Sequence, residues 1–161
     1  MECINVLFVC LGNICRSPMA EFYFRHIVAE AGLESRIKVA SAAVSSEEQG
    51  NPVYPNAKKK MAEHGIGCGD KRACKITQSM YDMSDYVIAM ENSNVAGIRR
   101  VVKSNGYTVL SLLLDYVKSD DPGFCRNVAD PWYTRDFDRA WNDITLGCDA
   151  LLDYIREKHR L

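Results

Sequence analysis

One short segment of the chain combines a nucleophile, a cation and a flexible turn at a spacing that suits phosphate chemistry. Cys10 and Arg16 lie six positions apart in the segment Val9–Pro18, which reads VCLGNICRSP. If the residues between them curl around one point, their backbone N–H groups converge there, and convergent N–H groups bind anions. Gly12 and Asn13 are the residue types that best tolerate the left-handed backbone that such a curl requires. The Arg16 guanidinium adds a planar fork for two phosphate oxygens.

The same positive surroundings favour the thiolate form of Cys10, which is the nucleophilic form of cysteine. A thiolate beneath a phosphate cradle indicates phosphoryl transfer to sulfur, followed by hydrolysis. A cysteine with an arginine six positions on is a weak pattern by itself, because the chain has seven cysteines. The alternative interpretation is a buried structural thiol and a solvated arginine at a helix end.

The residues around this segment predict the elements that position it. Ile4–Val9 is an apolar run of strand length, which is typical of a strand buried on both faces. Ser17 is suited to cap a helix and Pro18 to begin one. Apolar residues then follow at helical spacing as far as Ala31, and Gly32 provides the stop. The segment therefore connects a buried strand to a helix.

Strands and helices alternate along the rest of the chain. Further strands are predicted at 37–41, 86–90 and 108–114, and helices at 56–64, at 92–103 and from 134–136 onward, with loops at 45–56 and 117–133. This alternation implies a parallel α/β sheet with helices on both faces. Ligands of such sheets bind beyond the carboxyl ends of the strands, where Cys10 is placed. We expect residues 1–161 to form a single domain, since that length is ordinary for one.

Composition argues against several classes of function. The 20 Lys and Arg residues balance 21 Asp and Glu residues, so we expect no nucleic-acid partner. No apolar run approaches the ~18 residues of a transmembrane helix, and the first residues do not resemble a signal peptide. Free thiols in a reducing cytoplasm are expected, because the odd set of cysteines contains no C-x-x-C pair. We expect no cofactor and no metal, although His64, Cys68 and Cys74 are conceivable zinc ligands without the usual C-x₂₋₄-C clip.

The segment resembles the signature V-C-x-G-N-x-C-R-S-P of the low molecular weight protein tyrosine phosphatases at every fixed position. Shorter matches run through most of the chain, at 41–43, 64–66, 85–90, 93–94 and 130–131. The resemblance implies the fold of that family, a doubly wound four-stranded parallel sheet in the order 2-1-3-4. It also implies hydrolysis of phosphotyrosine and aryl phosphates through a cysteinyl-phosphate intermediate. We expect a monomer or weak dimer whose partners are phosphotyrosine proteins or small aryl phosphates.

The resemblance also assigns a role to each residue of the Cys10–Ser17 loop and its support. Cys10 is the nucleophile, Arg16 binds the phosphoryl oxygens, and Ser17 helps the sulfur to leave. Asn13 holds the loop in its strained shape and is supported by Ser41. The remaining residues that surround the phosphate are Leu11, Gly12, Ile14 and Cys15.

Asp130 matches the general acid of the family, which protonates the leaving oxygen and then activates water. Asp115, Asp120 and Asp121 are alternative acids, but none of them precedes a proline and an aromatic residue. A plain Asp-Pro turn is the alternative interpretation of Asp130.

Two cysteines of the loop are close enough to suggest redox chemistry. In the family, the pair matching Cys10 and Cys15 forms a disulfide under oxidant and protects the nucleophile. The alternative is that Cys15 is simply a small apolar residue of the loop.

The chain departs from the family at the expected rim of the substrate site. Glu47 and Glu48 occupy the stretch where many members have an aromatic wall, whereas Trp132 and Tyr133 keep aromatic rings beside Asp130. The acidic pair is expected to repel acidic peptides. Lys71 stands where many members have a histidine that supports the phosphate loop.

Three other functions use similar residues. Arsenate reduction needs further cysteines after the third strand, where this chain has residues 90–93 without one. Protein arginine phosphatases carry Thr at the position of Ile14, and a bulky apolar residue fits a phenyl ring better. A redox sensor or a phosphate-binding module is the third alternative, but a binder has no need of a general acid such as Asp130.

Overall fold

The computed structural model describes residues 2–161 and contains one four-stranded parallel sheet. The strands are β1 (Ile4–Cys10), β2 (Ile37–Ala43), β3 (Tyr86–Ala89) and β4 (Val109–Leu112). Their order in the sheet is β2-β1-β3-β4. The predicted α/β class and the order 2-1-3-4 are therefore confirmed.

Six α-helices of the described residues connect the strands or follow them. They are α1 (Arg16–Glu30), α2 (Pro55–Glu63), α3 (Gln78–Asp82), α4 (Asn92–Val101), α5 (Pro131–Thr134) and α6 (Phe137–His159), and a 3₁₀ turn at Leu113–Tyr116 follows β4. No helix within residues 2–161 has the length and apolar character needed to cross a membrane.

The central strand β1 is buried because each of its faces packs against a different set of helices. Phe8 belongs to the core shared with α1, α2 and α6, and its ring meets that of Phe24 edge-on at 5.4 Å. Val9, the next residue, belongs to the core on the other face, with Ile98 of α4. Alternation of side chains along the strand produces this division. On that second face Gly97 packs so closely on Val44 that an added Cβ would lie 2.5 Å from it.

Several predicted boundaries are wrong in ways that matter for the site. Ser17 does not cap α1, which begins at Arg16 with Cys15 at the N-cap position, so its hydroxyl is free to face Cys10. β2 continues two residues further, to Ala43, whose N–H and C=O are both hydrogen-bonded to segment 74–76. The region 117–133 is not wholly a loop, because Pro131 begins α5. Helix α3 was not predicted.

Candidate active site

The Cys10–Ser17 loop turns sharply between the end of β1 and the first turn of α1. Asn13 makes the turn with a positive φ of 59°, which asparagine tolerates better than most residues. Gly12 does not take the left-handed backbone that was predicted for it. The small size of Gly12 serves another purpose, because a Cβ there would lie 3.3 Å from the Glu48 side chain.

Cys10 lies at the start of this turn and is 3% exposed. The backbone N–H of Asn13 donates to its sulfur over 3.3 Å, and the Ser17 hydroxyl lies 3.0 Å away. Both groups can donate to a negatively charged sulfur. Donors that bind the charged form of a group stabilise that form. The geometry therefore suits a thiolate.

Behind the loop, the Asn13 side chain connects several elements. Its Nδ2 donates to Ser17 Oγ over 2.8 Å and to Ser41 Oγ of β2 over 2.9 Å. The backbone N–H of Cys74 donates to its Oδ1 over 3.2 Å. The structure thus brings Ser41 to Asn13, as the resemblance implied. It also brings Lys71 here, because Lys71 Nζ donates to the Ser41 carbonyl over 2.9 Å.

The guanidinium of Arg16 is 2% exposed and lies among three oxygen-bearing groups. It donates to the Val128 carbonyl over 2.9 Å and pairs with Glu91 at 3.1 Å and with Asp130 at 3.2 Å. Burial alone would lower the pKa of Arg16. The negative charges of Cys10, Asp130 and Glu91 outweigh burial, so the pKa is raised and the cation persists.

Glu91 is the residue of this group that sequence reasoning missed. It follows β3 by two positions, at the carboxyl edge of the sheet where ligands of such folds bind. That placement was available from the sequence.

Asp130 caps the N-terminus of the short helix α5. Its Oδ1 accepts the Trp132 N–H over 3.0 Å, and its Oδ2 contacts Arg16. The alternative acids lie elsewhere: Asp115 accepts the Leu112 N–H and Asp121 accepts the Gly123 N–H. None of the alternatives lines the cavity described next.

An open cavity of about 180 Å³ lies above the Cys10–Ser17 loop. Twelve residues line it: Cys10, Leu11, Gly12, Ile14, Cys15, Arg16, Ser45, Glu47, Glu48, Asp130, Trp132 and Tyr133. Asn13, Ser17 and Ser41 do not line it: Asn13 and Ser17 contact the Cys10 sulfur directly, and Ser41 acts through Asn13. The expected rim residues Glu47, Trp132 and Tyr133 thus border the same space as Cys10.

The structure also shows the surroundings of the other cysteines that the sequence analysis named. Burial, with a contribution from the charge of Cys10, raises the pKa of the Cys15 thiol to about 12. Cys15 therefore remains protonated at neutral pH. His64, Cys68 and Cys74 form no metal-binding cluster in the described part of the chain, and His64 instead stacks on Trp141.

Comparison with known proteins shows the family to which the chain belongs. The profile of the family described as low molecular weight phosphotyrosine protein phosphatase matches residues 5–161. The chain belongs to that family. Within the family, the low molecular weight protein-tyrosine-phosphatase YfkJ of Bacillus subtilis is 38% identical over 158 residues, which cover 98% of this chain and 99% of that protein. Its crystal structure matches with a TM-score of 0.91 over 97% of this chain and 96% of that one.

Two further relatives of this phosphatase family bear on the function. The human low molecular weight phosphotyrosine protein phosphatase is 36% identical over 151 residues, covering 92% of this chain and 94% of that protein. The crystal structure of DARP, a Drosophila arginine phosphatase, matches with a TM-score of 0.83 and 27% identity, over 94% of this chain and 97% of that one. Similar phosphatases thus differ in the phosphorylated residue on which they act.

Proposed function

We propose that the protein is a phosphatase that hydrolyses phosphotyrosine and other aryl phosphates through a phosphate ester of Cys10. The observation that carries this proposal is the convergence of Cys10, Arg16 and Asp130 on one cavity. A nucleophile, an anion-binding cation and a proton donor are the three groups that phosphoryl transfer to sulfur requires.

In the first step the Cys10 thiolate attacks phosphorus and the bond to the phenolic oxygen breaks. Arg16 binds two phosphoryl oxygens as the charge spreads over them. Since Asp130 already contacts Arg16 at 3.2 Å, the incoming phosphate competes with that carboxylate for the guanidinium. A negative phosphate beside Asp130 favours the protonated acid, which then donates its proton to the leaving oxygen.

In the second step a water molecule attacks the phosphorus of the cysteinyl phosphate. Asp130, now a carboxylate, accepts a proton from that water, and the sulfur–phosphorus bond breaks. The sulfur leaves as a thiolate beside the donors Ser17 and the Asn13 N–H. Phosphate departs and the starting state is restored.

The walls of the cavity favour an aryl ester. Ile14 and Trp132 both line the cavity. An apolar side chain and an aromatic ring suit a phenyl group, whereas the guanidino group of phosphoarginine is polar. DARP is similar enough that phosphoarginine remains the alternative substrate.

Two wider aspects of the function are also proposals. The cytoplasm is the compartment we propose, because the seven cysteines include no disulfide among the described residues. The monomer or weak dimer expected from the sequence stays a prediction.

The test is hydrolysis of p-nitrophenyl phosphate, phosphotyrosine and phosphoarginine in the presence of a chelator. We expect turnover of the two aryl esters by the wild type and none by Cys10→Ser. Cys125→Ser is the matched control, because Cys125 is exposed and does not line the cavity, and it should retain full activity. Faster turnover of phosphoarginine than of phosphotyrosine would overturn the substrate class, and an active Cys10→Ser variant would overturn the nucleophile.

A further inference from the structure

The hydrogen-bond network behind the Cys10–Ser17 loop continues to a buried carboxylate of α1. Glu21 is 3% exposed, and its Oε1 accepts the Ser41 hydroxyl over 2.5 Å. Its Oε2 pairs with Arg25 at 2.7 Å, and Lys71 Nζ lies 3.5 Å from Oε1. Glu21 does not border the cavity. A buried charge is costly unless it is paired, and here two cations offset it.

The position of this carboxylate matters because it constrains the direction of the hydrogen bonds that the Ser41 hydroxyl makes. A carboxylate only accepts, so Ser41 must donate its single proton to Glu21. Ser41 then has only lone pairs to offer to Asn13, which places the Asn13 amino group rather than its oxygen at Ser41. At the other end the Cys74 N–H can only donate, which places the Asn13 oxygen there. The Asn13 amide is therefore held in one orientation from both sides.

That orientation determines what Ser17 can do. The Asn13 amino group has two protons, and it gives one to Ser41 and the other to Ser17. Ser17 is fully buried, and its own proton has the Cys10 sulfur 3.0 Å away as its acceptor. A hydroxyl that donates to sulfur stabilises the thiolate relative to the thiol.

The opposite orientation would favour the thiol. If the side-chain amide of Asn13 were rotated by about 180°, its oxygen would accept hydrogen bonds from both Ser41 and Ser17. Ser17 would then face Cys10 with a lone pair, which is a partner for S–H and not for a thiolate. The Glu21 carboxylate disfavours this orientation, because it can only accept and therefore takes the proton of the Ser41 hydroxyl.

We propose that Glu21 is a positioning residue that fixes the direction of this hydrogen-bond chain and so keeps Cys10 in its nucleophilic form. The proposal deepens the function proposed above and rests on Cys10 as the nucleophile. Lys71 takes part because its ammonium group, unlike a histidine ring, can only donate. It therefore leaves Glu21 as the acceptor for Ser41.

The test is the pH dependence of the rate at which iodoacetamide alkylates Cys10, followed by mass spectrometry of the peptide that contains it. Glu21→Gln keeps the shape of the side chain but offers Ser41 an amino group that can donate. We expect the midpoint of the profile to move to higher pH. At pH values below the midpoint, alkylation should be about tenfold slower, which is what the loss of one hydrogen bond to a charged sulfur is worth.

Two variants separate positioning from general damage. Glu30→Gln is the matched control, because Glu30 lies on the same helix but is exposed and, among residues 2–161, pairs with His26 alone. It should leave the profile unchanged. Ser41→Ala removes the hydroxyl that connects Glu21 to Asn13 but leaves the ion pairs of Glu21 with Arg25 and Lys71, so it should move the midpoint of the profile to higher pH as Glu21→Gln does. In the Ser41→Ala background, Glu21→Gln should add nothing to the midpoint.

Several results would overturn the proposal. An unchanged profile for Glu21→Gln, an equal shift for Glu30→Gln, or a full additional shift in the Ser41→Ala background would each do so. If Glu21→Gln lowers the thermal unfolding midpoint so far that it cannot be assayed, an unchanged profile for the folded Ser41→Ala variant is the contradicting result. Alkylation needs no turnover, so this test can fail or succeed independently of phosphatase activity. The other titratable groups around Cys10 are the same in all these variants: Cys15, Arg16, Glu47, Glu48, Glu91 and Asp130.

Discussion

Replacing Asp130 by alanine removes three interactions at once, and the structure separates their effects. The carboxyl group is the proposed proton donor, it caps α5 through the Trp132 N–H, and it pairs with Arg16 at 3.2 Å. Loss of the proton donor should act on chemistry, loss of the cap on stability, and loss of the ion pair on phosphate binding.

The size of each effect follows from the group removed. For phosphotyrosine, whose leaving oxygen is strongly basic, turnover should fall by about 10²–10⁴-fold, the usual worth of general acid catalysis. For p-nitrophenyl phosphate the first step needs little protonation, so that step should slow by less than about tenfold. Loss of the cap should lower the free energy of unfolding by about 1 kcal/mol. Inorganic phosphate should bind more tightly, because the Arg16 guanidinium no longer has Asp130 as a competitor.

The assay compares kcat/KM on the two esters for the wild type, Asp130→Ala and Asp120→Ala. The parameter kcat/KM covers steps through the first irreversible one, so it reports on leaving-group protonation. Asp120 is an exposed aspartate outside the cavity, and its variant should behave as the wild type. Equal losses on both esters in Asp130→Ala would refute the general-acid reasoning, and a phosphotyrosine-selective loss in Asp120→Ala would move the role to that residue.

Three other changes test the rim, the loop and the core. Peptides with basic residues beside phosphotyrosine should have a higher kcat/KM than peptides with acidic residues there. The Glu47→Gln, Glu48→Gln double variant should lose this modest, salt-sensitive preference. A wild-type preference for acidic peptides would show that these two side chains do not act on the substrate. Mild peroxide should inactivate the enzyme reversibly by joining Cys10 to Cys15, with Cys15→Ser making the loss irreversible; mass spectrometry that finds Cys10 joined to another cysteine would contradict this. Gly97→Ala places a methyl group 2.5 Å from the Val44 side chain, so denaturant unfolding should show that the free energy of unfolding falls by about 1–3 kcal/mol. An unchanged free energy of unfolding would contradict the close packing of Gly97 on Val44.

The sheet was predictable because its strands carry a strong local signal. β1 and β3 are short apolar runs buried on both faces, and alternation with helices leaves few arrangements for such strands. The order of the strands came from the resemblance to a family, since nothing in local periodicity determines which strand neighbours which. The edge strand β4 was predicted two residues too far at its end, because its apolar run continues into a 3₁₀ turn, and one residue too early at its start.

The site was predictable where neighbours in sequence are neighbours in space. Cys10, Asn13 and Arg16 belong to one loop, so their spacing carried the information. Glu21 and Glu91 reach the site through tertiary packing, from a helix face and from the end of another strand. A buried glutamate on an otherwise ordinary helix has no signature in the sequence, so only the contact with Ser41 distinguishes Glu21. Glu91 could have been placed at the carboxyl edge of the sheet, but its pairing with Arg16 is visible only in the fold.

The direct test of the central claim is detection of a phosphoryl group on Cys10 during turnover. Asp130→Ala is the protein to use, because the second step needs Asp130 to activate water and the intermediate should therefore accumulate with p-nitrophenyl phosphate. The reaction is stopped with denaturant and the peptide that contains Cys10 is analysed by mass spectrometry. We predict one added phosphoryl group on Cys10, absent when Cys10→Ser is combined with Asp130→Ala. A phosphoryl group on another residue, or turnover by this variant with Cys10 never modified, would contradict the account.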